Sequence, residues 1–90
     1  MMDYAKYLII SKEGVEIPVI FSDLIQHVSI IPNGYEAVSG GFVQIYTYDN
    51  GEVAVCCFGQ SVSAGVKSRE EHDAEIIERH ILKKRTEDYI

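Results

Sequence analysis

Basic residues are scarce in this chain. Eight Lys and Arg stand against fourteen Asp and Glu, which gives a net charge of −6. Because a basic surface supplies most of the affinity of nonspecific nucleic-acid binding, we expect no direct nucleic-acid partner. Long apolar runs are lacking too: the longest, Val53–Phe58, is far shorter than the roughly 20 residues of a membrane-spanning helix. Residues 1–6 do not have the basic start and apolar core of a secretory signal, so we expect a cytoplasmic protein without membrane attachment.

Cysteine and histidine are also few. The two cysteines, Cys56 and Cys57, are adjacent, which is no disulfide framework. Neighbouring strand residues point to opposite faces, so this pair cannot chelate one metal ion, and we expect both to fill small buried sites. His72 and His80 lie eight positions apart, whereas metal-binding pairs on a helix prefer four, and His27 has no evident partner. We therefore predict no metal site and no cofactor.

The 90 residues, 47% of them hydrophobic, fit one domain spanning residues 1–90. Two β-rich segments open the chain, Tyr4–Ser11 and Val15–Phe21, separated by a turn around Gly14. Pro18 cannot donate to a strand ladder, so the second strand is expected at a sheet edge or at a bulge. A short helical turn is predicted over residues 23–28.

A β-hairpin is predicted from about Tyr35 to Phe58. Asn50-Gly51 is the preferred dipeptide of a two-residue type I′ turn, and that turn would pair Tyr46 with Val55. Gly40-Gly41 in the outgoing strand is read as a bulge or sharp bend. Both faces of the hairpin are apolar, whereas a sheet with one solvated face would alternate apolar and polar residues.

The last predicted element is a helix. Ser68 fits the N-cap and Glu71 stands three positions later, which is the capping-box spacing. Glu75 precedes Arg79 by four positions, and this order of acid and base stabilises a helix. One apolar stripe contains Ala74, Ile77, His80 and Ile81, and residues 86–90 are expected to fray.

These elements predict an α+β fold: a mainly antiparallel sheet of about four strands with a C-terminal α-helix packed on one face. One helix covers one face only, so the other face, which carries Tyr46 and Tyr48, needs another cover. Ile76 and Leu82 are left over on the flanks of the helical stripe. We interpret these residues as a self-association or partner surface and expect a homodimer.

The segment 59–68 joins a strand to a helix, as a phosphate-binding loop does. Five residues separate Gly59 from Gly65, and Val66 interrupts the sequence before Lys67, so the Walker spacing is not met. Loops on a rigid scaffold often carry binding residues. Lys67 and Arg69 are therefore candidate contacts to a partner.

Two stretches, Ala37–Phe42 and Phe58–Arg69, followed by Asp73–Ile77, resemble parts of short uncharacterised phage and prophage proteins. The resemblance covers about the last two-thirds of the chain and contains no catalytic motif. It implies a phage or bacterial origin, hence the cytoplasm of a bacterial host, and no biochemical role.

We therefore predict a noncatalytic protein–protein interaction module of phage type, with a host protein as a possible partner. An alternative comes from the five acidic residues between Glu70 and Glu78, which could imitate a phosphate backbone and inhibit a host nucleic-acid-handling complex. A small enzyme is the least supported reading, because no arrangement of nucleophile and base can be proposed.

Overall fold

The computed structural model describes the backbone of residues 4–88 and the side chains of residues 4–83. The elements, in chain order, are strands β1 (Ala5–Lys12) and β2 (Val15–Phe21), a 3-10 helix (His27–Ile30), strands β3 (Glu36–Thr47), β4 (Val53–Phe58), β5 (Gln60–Ser61) and β6 (Val66–Lys67), and the helix α1 (Glu70–Asp88). The predicted helical turn over residues 23–28 is thus shifted towards the C-terminus.

Four antiparallel strands form the main sheet in the order β2-β1-β3-β4. The α+β fold predicted from the sequence is confirmed. The β1–β2 turn contains Glu13 and Gly14, both with positive φ. Pro18 lies in an edge strand, as its missing N–H requires.

The predicted register of the β3–β4 hairpin is wrong by one residue. Tyr46 pairs with Ala54, and not with Val55. The Gly51 N–H donates to the Tyr48 carbonyl, and the Tyr48 N–H donates to the Glu52 carbonyl. The loop therefore contains Asp49, Asn50 and Gly51, a three-residue type I turn with a left-handed glycine, instead of the two-residue type I′ turn. A slip of one residue exchanges the two faces of β4.

The glycine pair in β3 has a role other than the predicted bulge. The register shift lies between Ile9 and Ile10 of β1, which leaves Val38 as the extra residue of β3. Gly40 and Gly41 follow in regular strand. A Cβ on Gly41 would lie 2.4 Å from the Phe58 carbonyl oxygen, so the missing side chain permits close approach of two backbones.

One face of the sheet, the helix face, packs against α1. Its buried cluster contains Tyr7, Ile9, Val43, Cys57 and Ile77, and the partly buried Ala74, Ile76 and Ile81 pack against that cluster. The helical stripe is confirmed, except that His80 is exposed. The helix backbone continues through Asp88. Residues 89 and 90 lie outside the described residues, so the fraying of this end stays a prediction.

The opposite face, here called the second face, is covered by short elements. Leu8 and Ile10 are buried there, and a Cβ on Gly40 would meet Leu8 and Val66. The small β5–β6 hairpin packs over β3. The 3-10 helix is tied to the loop between β5 and β6, because the Val28 N–H donates to the Ser63 hydroxyl.

Candidate functional site

A buried carboxylate joins the helix to the sheet. Asp73 is fully buried in the first turns of α1. Its Oδ2 accepts from the Tyr7 hydroxyl at 2.6 Å and from the Arg69 backbone N–H at 3.0 Å. Its Oδ1 accepts from the Ser39 hydroxyl at 2.9 Å and from Arg69 Nε at 3.0 Å. We call Tyr7, Ser39, Ser68, Arg69 and Asp73 the polar clasp.

Arg69 connects the polar clasp to the protein surface. Its guanidinium pairs with Asp73 on one side, and on the other its Nη2 donates to Glu16 Oε1 at 2.7 Å. This pairing holds the pKa of Glu16 below its ordinary value, chiefly through the hydrogen bond. The guanidinium therefore links β2 to α1, and its Nε and Nη2 donate within the molecule.

Ser68 belongs to the polar clasp, so the predicted capping box is wrong. The helix begins at Glu70, and the Ser68 hydroxyl lies 2.6 Å from the Tyr7 hydroxyl. Because Tyr7 donates to Asp73, Ser68 donates to Tyr7. Asp73 supplies the cap instead, because its carboxylate accepts from the backbone N–H of Arg69, the residue before the helix. Capping is thus coupled to the sheet through Tyr7.

The chemistry of the polar clasp is that of a structural network. Burial, and then the hydrogen bond to Asp73, raise the pKa of the Tyr7 hydroxyl above its ordinary value. Burial likewise raises the pKa of the nearby Cys57 thiol to about 12. Both groups are therefore neutral at physiological pH, and the Asp73 oxygens already accept from four donors. The polar clasp stabilises the helix–sheet contact and presents no free base.

Sequence reasoning missed the polar clasp because its members are distant along the chain. The sequence pattern places Asp73 only among the five acidic residues between Glu70 and Glu78. The available signal was its position: Asp73, Ile77 and Ile81 are four residues apart and share one helix face. A carboxylate on the apolar face must be paired when buried.

The two cysteines have different environments. Cys57 is buried on the helix face, as predicted. Cys56 is exposed on the second face, so its predicted burial is wrong. Cys56 lies in β4, an edge strand of the sheet, where its side chain is exposed.

An apolar groove lies on the second face. It has a volume of about 460 Å³ and runs between the segment before the 3-10 helix and the start of the β5–β6 hairpin. Its lining residues are Lys6, Gln26, His27, Phe42, Gly59, Gln60, Val62 and Ser63. Among the described side chains, Lys6 is the only charged one that lines this groove, although the chain has a net charge of −6. We call this feature the second-face groove.

The aromatic rings of Phe42 and His27 line the second-face groove and are called its floor below. Phe42 stacks on Phe58 with ring centres 5.8 Å apart, and the His27 ring meets the edge of Phe42. His27 is buried and its Nε2 donates to the Gly41 carbonyl at 2.9 Å. The His27 ring is thus fixed as part of the floor.

Large apolar side chains project around this groove. Val62, in its wall, is 84% exposed, and Leu24 is 90% exposed. Leu24 precedes Ile25, whose carbonyl accepts from Lys6 Nζ at 2.8 Å, so the segment that carries Leu24 is tied to a residue that lines the groove. Exposed apolar residues grouped at a concave surface are typical of binding sites.

The residues predicted as an interface fall in separate places. Tyr46 lies on the second face, where its hydroxyl donates to Gln44. Tyr48 lies beyond the end of β3 and is 53% exposed. Ile76 packs against the core cluster. Leu82 lines a groove of about 430 Å³ beside the hairpin loop, with Val53 and Glu78.

The two predicted loop contacts also separate. Arg69 is part of the polar clasp. Lys67 is exposed in β6 and pairs with Gln60, which lines the second-face groove. Lys67 therefore lies beside a residue of this groove without lining it.

The acidic face of the helix is weaker than its composition indicates. Asp73 is buried in the polar clasp, and Glu75 pairs with Arg79 at 3.6 Å, as predicted. Glu70 and Glu71 remain exposed at the start of α1. Two of the five acidic residues, Asp73 and Glu75, are thus paired with arginines within the molecule.

Comparison with protein-family models, with curated proteins and with solved structures found no match. Within residues 4–88, no group of three or more His, Cys, Asp or Glu is arranged to hold a metal ion. No helix of that part of the chain has both the length and the apolar character needed to cross a membrane.

Proposed function

We propose that this chain is a noncatalytic protein–protein interaction module, and that the second-face groove binds a short apolar segment of another protein. The observation that carries the proposal is an aromatic-floored groove whose wall residue Val62 is largely exposed. Burying such surface supplies roughly 25 cal/mol for each Å² removed from water. A host protein of a phage-encoded chain remains the expected kind of partner.

The charge of the groove specifies the partner further. Lys6 lines the groove, and among the side chains of residues 4–83 no acidic one does. A partner segment with an acidic residue beside its apolar side chains would therefore complement the groove. A basic segment would instead be attracted to the acidic surface outside the groove.

Affinity capture with matched variants tests the proposal. Leu24→Ser and Val62→Ser remove the exposed apolar side chains near the groove, and Val15→Ser removes one from β2, where Val15 is 60% exposed. All three are expected to keep the melting temperature, because exposed substitutions change stability by about 0.5 kcal/mol or less. We expect a specific partner to be retained by wild type and Val15→Ser and lost by the groove variants.

Reversal of the groove charge gives a second measurement. Lys6→Glu should abolish binding of a partner that presents an acidic residue. A partner retained equally by all variants, or the lack of any partner that depends on the groove, would contradict the proposed function.

A further inference from the structure

The two edges of the sheet are protected differently. At one edge, β2 carries Pro18 and the Glu16–Arg69 ion pair. At the other edge, β4 has the sequence Val-Ala-Val-Cys-Cys-Phe, with no proline and no charge. Proline and charged residues are the usual means by which edge strands avoid pairing with other chains. Among residues 4–88, β3 is the only strand that pairs with β4.

The hairpin fixes which backbone groups of β4 point outward. The Tyr48 N–H donates to the Glu52 carbonyl, so these two residues form a hydrogen-bonded pair. Such pairs alternate along an antiparallel ladder, which turns Ala54, Cys56 and Phe58 towards β3. The N–H and C=O groups of Val53, Val55 and Cys57 therefore point away from the sheet.

We propose that two copies of this chain associate by antiparallel pairing of β4 with β4, around a twofold axis at Val55. In this register Val55 pairs with Val55 of the other copy, and Val53 pairs with its Cys57. Each pair exchanges two backbone hydrogen bonds, about six in all, and every outward group of these residues is satisfied. The two sheets become one continuous sheet.

The side chains suit this register. On the helix face it places Val53, Val55 and Cys57 of one copy against the same apolar residues of the other. On the second face it places Ala54 opposite Cys56, two small side chains in a close pair that is not hydrogen-bonded. Since β4 carries no charge, two molecules of net charge −6 meet along a neutral strand.

A proline substitution in β4 can test pairing at this edge without removing a hydrogen bond to β3. The Val55 N–H points outward, so Val55→Pro removes a donor that β3 does not use. Wild type is expected to be a dimer by sedimentation velocity at micromolar concentration. Val55→Pro should weaken association at least about tenfold, because each copy loses one hydrogen bond at the axis. Val55→Ala retains the N–H and should still dimerise. A wild-type chain that is monomeric at every concentration would overturn the proposal.

Charged substitutions at Ala54 and Cys56 test the register of the β4–β4 pairing. They also test the proposed dimer if Val55→Pro does not fold. Ala54→Lys with Cys56→Lys places like charges opposite each other twice across the axis, which should give a monomer. Ala54→Glu with Cys56→Lys places opposite charges there and should restore the dimer. Equal association of both double variants would overturn this register. None of these positions lines the second-face groove, so failure here is distinct from failure of the proposed function.

Discussion

At the scale of single residues, Asp73 is a fully buried carboxylate that accepts four hydrogen bonds. Its charge is buried, and Arg69 is the cation that pairs with it. Removing one partner of a buried ion pair leaves the other charge uncompensated, which costs more than the pair contributed. The stability of the helix–sheet contact therefore depends on Arg69, which the sequence pattern had assigned to a binding loop.

Arg69→Ala is expected to lower the free energy of unfolding by about 3 kcal/mol, because Asp73 remains buried without its cation. Partial exposure of Arg69 lets water approach and keeps the effect at the lower end of the usual range. Arg79→Ala is the matched control, since the exposed pair Arg79–Glu75 contributes about 0.5 kcal/mol or less. Urea unfolding measures both, and equal effects would contradict a structural role for the polar clasp.

The cysteines are expected to react at different rates. Cys56 is exposed, whereas Cys57 is buried and its pKa is raised to about 12. Because the thiolate is the reactive form, a thiol reagent at about pH 8 should label one cysteine rapidly and the second only after unfolding. Cys56→Ser should abolish the rapid phase. Rapid labelling of both cysteines in the native protein would mean that Cys57 is not held in the core.

Acid should weaken the link between β2 and α1. The folded-state pKa of Glu16 lies below the ordinary value of 4.5. The contribution of Glu16 to stability is therefore present above that value and is lost as the pH falls towards the lowered pKa. Melting temperatures between about pH 6 and pH 3 should fall less steeply for Glu16→Gln than for wild type. Parallel curves would show that the ion pair does not affect folding.

At the scale of elements, the close contact at Gly41 joins β3 to the end of β4. Gly41→Ala should destabilise the fold by about 3 kcal/mol, because its Cβ would lie 2.4 Å from the Phe58 carbonyl oxygen. Gly65→Ala is the comparison: its φ is +70° but it has open space around the Cβ position, so it should cost about 1 kcal/mol. Thermal unfolding distinguishes a backbone clash from simple loss of glycine freedom.

The boundaries of the first strands were predictable within one residue because they depend on local chemistry. Val15–Phe21 agrees with β2 at both ends, and Pro18 indicated its edge position. The hairpin register was not predictable in the same way, since Asp49-Asn50-Gly51 accommodates both a two-residue and a three-residue turn. The choice between them moves every side chain of β4 to the opposite face.

The surfaces depend on contacts between distant segments, which periodicity does not report. The second-face groove brings Lys6, Phe42 and Val62 together from three parts of the chain. The sequence indicated only that the sheet has two apolar faces and that one helix cannot cover both. The β3–β4 register then decides which β4 groups face outward, so the edge could not be analysed before the turn was known.

At the scale of the whole molecule, net charge and local charge act in opposite directions. The chain carries −6 overall, yet β4 is uncharged and the charged residue in the wall of the second-face groove is Lys6. Two copies that meet at β4 therefore repel each other through distant carboxylates, while an acidic partner segment is attracted locally by Lys6. Salt screens both interactions.

Salt should therefore strengthen self-association. Raising the NaCl concentration from about 0.05 to 0.5 M shortens the screening length and reduces repulsion between two acidic molecules, while the backbone and apolar contacts at β4 persist. Sedimentation equilibrium should show a dimer dissociation constant several-fold lower at the higher salt. A partner bound beside Lys6 should respond in the opposite sense, because the same screening weakens an attractive pair. Self-association that weakens with salt would mean that ion pairs hold the copies together, which the uncharged strand β4 cannot provide.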